Sequence, residues 1–155
     1  MRAVDGPNPL RLQTLLLLQA AYSHNGLARS FDPKEPNKSG FFHAVFDNHK
    51  VSGPILITHS RNDRAVGLAY PLASRLNGDD AAGIGDANDL FGGTGANGAQ
   101  HVDKAEIDLQ PVGGNYDFKT SGKLVFNLNG DKIIQSHGDV ARPETAAVLA
   151  AAMKM

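Results

Sequence analysis

Apolar runs alternate with polar segments along the chain, and the clearest alternation lies around position 60. A Gly-Pro pair at 53–54 precedes the apolar, β-branched residues 55–58, which predict a buried strand. Residues 59–64 are abruptly polar, and residues 65–76 follow with the apolar spacing of a helix. Strand, polar loop and helix form the repeating unit of α/β proteins, whose ligands bind outside the carboxyl ends of the strands, so Asp63 lies where functional side chains collect. The predicted apolar face of the helix consists of Val66, Leu68, Ala69, Leu72, Ala73 and Leu76.

A second apolar run, residues 12–21, is compatible with either regular structure. Its leucines favour a helix, whereas its length and the Asn-Gly pair at 25–26 suit a strand buried on both faces of a parallel sheet. We predict a strand, because the run at 55–58 has the character of its parallel neighbour. Residues 123–130 predict a third strand or one arm of a hairpin that residues 131–135 continue.

The C-terminal residues repeat the order of strand, polar loop and helix. A polar loop at 136–140 follows the third apolar run, and Pro143 in the first turn indicates a final helix that ends near residue 153. We therefore predict one α/β domain over residues 1–155, with a partial parallel sheet of about three strands and flanking helices.

Two long segments separate these units. Residues 26–52 contain an aromatic cluster between two predicted strands, and they form either a lid over a site or a surface loop held by its aromatic side chains. Residues 78–120 are rich in Gly and Asp and predict an irregular loop region. Within them, residues 85–98 resemble a calcium-binding nonapeptide repeat, but one degenerate copy and part of another cannot build the stacked site. Residues 92–98 do not form a phosphate loop either, because no Lys-Ser/Thr pair follows them.

Composition excludes several classes of function. The net charge is −1 with both signs interspersed, which argues against nucleic acid as a partner, and the absence of Cys excludes disulfides and thiolate nucleophiles. No run approaches the roughly 20 apolar residues of a membrane helix. Prolines and an acid near the N-terminus weaken a secretory leader, so we expect a cytoplasmic protein, with secretion left open. We predict no cofactor. We also predict no metal, because His59 and Asp63, four residues apart, could form a ligand pair but no third ligand is evident.

Two candidate catalytic residues, Asp63 and His137, follow predicted strands and precede predicted helices. In a parallel sheet both loops emerge at the same edge, so the two side chains can meet although they are distant in sequence. A carboxylate that accepts a hydrogen bond from one imidazole nitrogen fixes the tautomer and stabilises the cation formed when the other nitrogen takes a proton. Alternatively, Asp63 serves only as a turn or capping residue and His137 only as a loop residue.

These two segments resemble those of the α/β-hydrolase fold family. Residues 53–66, GPILITHSRNDRAV, are similar to the acid-bearing strand and loop of that family, and residues 136–140, SHGDV, are similar to its C-terminal histidine loop. In this resemblance, residues 12–21 correspond to the strand after the nucleophile helix and residues 26–52 to the lid insertion. The interval from acid to histidine is longer than is usual in the family.

The resemblance implies a serine hydrolase that cleaves a small acyl ester or a similar carbonyl substrate. His137 would act as general base and then general acid, and Asp63 would orient it. No G-x-S-x-G nucleophile motif occurs in the chain, so we expect the C-terminal part of such a fold, inactive alone and prone to self-association through an exposed sheet edge. The alternative is a non-catalytic α/β binding module, with ion binding by the Asp/Gly-rich loop.

Overall fold

A four-stranded parallel sheet forms the centre of the computed structural model, which describes residues 11–75 and 90–155. Its spatial order is β1-β2-β4-β3, and all three pairings are parallel. The carboxyl ends of the strands therefore lie at one edge, and the loop after β2 is next to the loop after β4. The strands are β1 (Leu15–Leu18), β2 (Ile55–His59), β3 (Lys104–Asp108) and β4 (Val125–Asn129).

The two central strands are buried on both faces, as the continuous apolar pattern of a parallel sheet predicts. On one face, Leu56 and its register partner Phe126 pack with Val148 of the final helix. On the other face, Ile55 and Ile57 pack with apolar side chains from the preceding long segment, which are Leu27, Val45 and Val51. The α/β class predicted from the sequence is confirmed.

The first strand is present and runs parallel to β2, but its predicted burial on both faces is wrong. Leu15 to Leu17 are only half-buried and Leu18 is 38% exposed, because among the described residues β1 has a neighbouring strand on one side only. The strand is also shorter than the predicted run at 12–21, since Gln19 leaves the extended conformation with φ of 41°.

The prediction of about three strands was also incomplete, because β3 lies within the segment predicted as an irregular loop. Its sequence KAEID alternates charged with apolar residues, and among the described strands it pairs only with β4, at the far edge of the sheet. A half-exposed edge strand tolerates such charges, which obscured it in the sequence. The strand accounts for part of the long interval between Asp63 and His137.

Residues 131–135 do not form the second arm of a hairpin. The backbone N–H groups of Ile133 and Ile134 both donate to the carbonyl of Gly130, at 2.8 and 2.7 Å, which makes a tight turn after β4. The parallel strands β2 and β3 occupy both sides of β4, so no antiparallel partner could form there.

The helix after β2 is confirmed, but its conformation and its buried face differ from the prediction. It begins with a π-helical turn over Ala65–Ala69 and continues as α2 (Tyr70–Arg75). Pro71 has no N–H for a regular helical bond, and its ring disfavours a regular α-helix in the preceding turn. Val66 is buried, whereas Leu68 and Leu72 are 42% and 50% exposed. Leu76 lies outside the described residues.

Three further helices complete the described structure. The final helix α4 (Pro143–Ala152) begins at the predicted proline and buries Thr145, Val148 and Ala152. Short helices occur within the two long segments, namely α1 (Ala44–Asp47) and α3 (Thr94–Asn97). No helix in the described ranges has the length and apolar character needed to cross a membrane.

Candidate functional site

The side chains of Asp63 and His137 are in contact at the carboxyl edge of the sheet. The Nδ1 atom of His137 lies 2.9 Å from Oδ2 of Asp63. The acid comes from the loop after β2 and the histidine from the loop after β4, and these strands are direct neighbours in the sheet. The predicted meeting of the two residues is therefore present in the structure.

Asp63 has two functions in the local structure. Its side chain is fully buried, and Oδ1 accepts a hydrogen bond from the backbone N–H of Val66 at 3.0 Å, in the first turn of the helix. This bond satisfies one of the unpaired donors at a helix start. The other oxygen, Oδ2, faces His137, so the capping function predicted as an alternative coexists with the contact to the histidine.

Gln19 is a third member of this cluster, which the sequence did not reveal. It follows β1, its side chain is 1% exposed, and its Nε2 donates to Oδ2 of Asp63 at 3.2 Å and to the carbonyl of Ser136 at 2.9 Å. A polar residue directly after an apolar strand was the available signal. The sequence prediction included it only as part of the apolar run at residues 12–21.

Side chains of the acid loop fasten the start of the histidine loop. Ser60 Oγ and Asn62 Nδ2 both donate to the carbonyl of Ile134, at 3.1 and 2.8 Å. The guanidinium Nε and the backbone N–H of Arg61 donate to the carboxylate of Asp131, at 2.7 and 2.8 Å. Burial alone raises the pKa of Asp131, but these bonds from Arg61 outweigh it and hold the pKa below its usual range.

Asp139 braces the histidine loop from its other end. Its Oδ2 accepts from the backbone N–H of Gln135 at 3.1 Å, and its carboxylate accepts from Nη1 of Arg142 at 2.8 and 3.0 Å. No side chain caps the first turn of α4. Asp139 therefore supports the histidine loop and does not cap the start of α4.

This geometry is suited to proton transfer at one face of the imidazole. A buried carboxylate on Nδ1 favours the tautomer that carries its proton there, which leaves Nε2 as the basic nitrogen. The His137 side chain is 46% exposed, and within the described ranges its ring has no hydrogen-bond partner other than Asp63. Nε2 is thus free to take a proton from a reacting group.

An aromatic-lined pocket of about 330 Å³ lies at the same end of the sheet. Tyr22, which follows β1, and Tyr70 of α2 line it together with residues of the 26–52 segment. The rings of Tyr22 and Phe42 meet edge to face with centroids 5.0 Å apart, and Phe41 is 87% exposed. The lining also includes Phe31 and small or polar residues, but no charged side chain from the described part of the chain.

The remaining histidines at this end of the sheet do not join the cluster. His24 is buried, and its backbone N–H donates to the carbonyl of Gly92 at 2.8 Å. The Nε2 atom of His59 lies 3.8 Å from Glu106 of β3. The described residues contain no group of three side chains that could hold a metal ion.

Comparison of the chain with protein families, with curated proteins and with solved structures gives no match.

Proposed function

We propose that this chain carries the acid and the histidine of a serine hydrolase with an α/β-hydrolase-like fold. In this proposal His137 removes the proton from a serine hydroxyl through Nε2 and later returns it to the leaving group, while Asp63 holds the ring and stabilises its cation. The observation that carries the proposal is the 2.9 Å contact between a fully buried carboxylate and a half-exposed imidazole at adjacent strand ends.

The nucleophile would come from outside these 155 residues, since the sequence contains no G-x-S-x-G motif. In α/β sheets the strand ends meet at one edge, so a serine on a further strand beside β1 would reach the same edge as Gln19 and Asp63. Among the described strands, β1 has no neighbour on its outer side, and a further strand could pair there.

The aromatic pocket favours an uncharged, apolar group in the substrate. Tyr70, which lines the pocket, is seven residues after Asp63 on the helix that begins after that residue. A pocket of about 330 Å³ is at the small end of the range for small-molecule sites and suits one aromatic ring or a short acyl chain. A neutral ester or similar acyl compound is therefore the proposed substrate class, and no cofactor is required.

The test begins with the genomic sequence upstream of Met1, read for an in-frame strand followed by G-x-S-x-G. The longer chain is then expressed and assayed with a neutral p-nitrophenyl ester. We expect hydrolysis by the longer chain, with a loss of kcat of about 10⁴-fold in Asp63→Asn and of about 10⁶-fold in His137→Ala, as in other triads.

His49→Asn is the matched control, because His49 is an exposed histidine with positive φ, a conformation that Asn tolerates. We expect this variant to hydrolyse the ester at the wild-type rate. Turnover that survives His137→Ala would remove the role proposed for His137, and an upstream frame without a nucleophile motif would remove the serine mechanism.

A second candidate function is a non-catalytic binding module, which the exposed aromatic rim of the pocket favours. A neutral aromatic compound such as 2-naphthol would then raise the melting temperature of the chain, equally in wild type and in His137→Ala, and no chain would hydrolyse the ester. Stabilisation by calcium instead would point to the Asp/Gly-rich loop, part of which lies outside the described residues.

A further inference from the structure

Gln19 has a backbone conformation that the surrounding structure enforces. Its φ of 41° lies in the left-handed region, which a residue with a long side chain seldom adopts outside constrained sites. Its N–H donates to Oγ1 of Thr58 at 3.1 Å. The backbone of Gly95 approaches so closely that a Cβ at that position would lie 2.6 Å from the Gln19 carbonyl group. This conformation directs the side chain into the cluster of Asp63 and His137.

The orientation of the Gln19 amide is fixed by its neighbours. Nε2 lies between two acceptors, the carboxylate of Asp63 and the carbonyl of Ser136. A flipped amide would place its oxygen against both of them, so the assignment of nitrogen and oxygen is unambiguous. The remaining oxygen, Oε1, is buried without a hydrogen-bond partner among the described residues. Among the described residues, the buried Gln19 amide therefore makes hydrogen bonds only through Nε2, to Asp63 and to the histidine loop.

We propose that Gln19 is the positioning residue of the site. Oδ1 of Asp63 is held by Val66, and Oδ2 receives both Gln19 Nε2 and His137 Nδ1. Gln19 therefore prevents rotation of the carboxylate and, through Ser136, ties the histidine loop to the same point. The contribution of Gln19 to catalysis rests on the proposed function, whereas its control of the His137 ring does not.

The test is an NMR measurement of the side-chain protons of this chain. In wild type, we expect the Nε2 protons of Gln19 to exchange with water at least 10-fold more slowly than those of Gln135, an exposed glutamine of the histidine loop. Equal exchange rates for the Gln19 and Gln135 side-chain protons in the wild-type chain would overturn the proposal.

Two substitutions of similar length then separate positioning from packing. Gln19→Met removes the donor, and Gln19→Glu replaces it with a group that repels the Asp63 carboxylate. We expect the Nδ1 proton of His137 to exchange at least 10-fold faster in both variants, and the neutral ring to populate both tautomers. Gln135→Met is the matched control and leaves the ring unchanged. If both folded variants retain the wild-type exchange and tautomer, Gln19 only fills space and the proposal is wrong.

Kinetics of the longer chain distinguish this proposal from the proposed function. In an active hydrolase, Gln19→Met lowers kcat for the ester by at least 10-fold with little change in KM. If the variants alter the His137 ring while no chain hydrolyses esters, the positioning role stands and the hydrolase assignment fails. If esters are hydrolysed and the His137 ring does not respond to the Gln19 substitutions, the hydrolase assignment stands and the positioning role fails.

Discussion

His137 Nδ1 lies 2.9 Å from Oδ2 of Asp63 although 74 positions separate the two residues in the sequence. The contact arises because β2 and β4 are parallel neighbours and each ends in a polar loop at the same edge of the sheet. Cross-links between the loops, such as that from Asn62 to the carbonyl of Ile134, keep the two ends together. The position of the pair is thus a property of the sheet and of its loops, and its catalytic role is our proposal.

We expect Asp63→Asn to destabilise the chain as well as to impair the site. The buried carboxylate accepts hydrogen bonds from Val66, Gln19 and His137, and an amide has one oxygen for these donors. The loss should be about 1–3 kcal/mol in the free energy of unfolding, measured by urea denaturation. Asp103→Asn, at a largely exposed ion pair with Lys123, is the control and should cost less than about 0.5 kcal/mol. Equal losses would contradict the buried hydrogen-bond network.

Gly95→Ala tests the close approach that holds Gln19 in its conformation. The added methyl group would lie 2.6 Å from the Gln19 backbone, and backbone atoms cannot yield as a flexible side chain can. We expect a loss of about 1–3 kcal/mol in the free energy of unfolding. Gly138→Ala is the control, because a Cβ there has no neighbour within 4 Å. A stability of Gly95→Ala equal to that of wild type would mean that the two backbones are farther apart.

Tyr22 should make the stability of the chain fall at alkaline pH. Burial raises the pKa of Tyr22 to about 12, and its hydrogen bond with Thr94 lowers it only in part. Between pH 10 and 12 the folded chain retains a proton that the unfolded chain has lost, so the free energy of unfolding falls as pH rises, by up to about 2–3 kcal/mol. Tyr22→Phe should show a shallower decline in denaturation experiments across this range. Identical slopes would contradict the burial of the phenol.

The outer edge of β1 should cause self-association. Among the described residues this strand has a neighbour on one side only, and Leu18 is 38% exposed. Unpaired backbone groups beside apolar side chains attract further strands, and a charged residue on the edge opposes this. We therefore expect Leu18→Lys to reduce the average mass in light scattering, whereas Leu72→Lys, at an exposed position of α2, does not. A monomeric wild-type chain at high concentration would contradict this expectation.

Sequence patterns predicted the parts of the fold whose side chains have uniform environments. β2 and β4 are buried on both faces, so their apolar runs were clear, and Pro143 marked the start of α4. The strand β3 was missed because its charged residues are tolerated only at an edge, and the pattern does not specify which strands are edges. The exposed face of α2 depends on the π turn before it, which the spacing of apolar residues does not reveal.

The candidate site was predicted in part, because two of its residues follow strands that the sequence shows clearly. Asp63 and His137 stand in loops whose order along the chain indicates a shared edge. Gln19 was not predicted because its importance depends on a left-handed backbone and on contacts with Asp63 and Ser136, all of which need the assembled sheet. No spacing in the sequence connects residue 19 to residue 63.

The tautomer of the His137 ring, measured by ¹⁵N–¹H correlation NMR at a pH where the ring is neutral, decides whether Asp63 orients this histidine. We predict that the proton lies on Nδ1, facing Asp63, and that Nε2 is unprotonated and available as a base. A neutral ring with its proton on Nε2 would contradict the account, because Asp63 would then not be orienting the histidine.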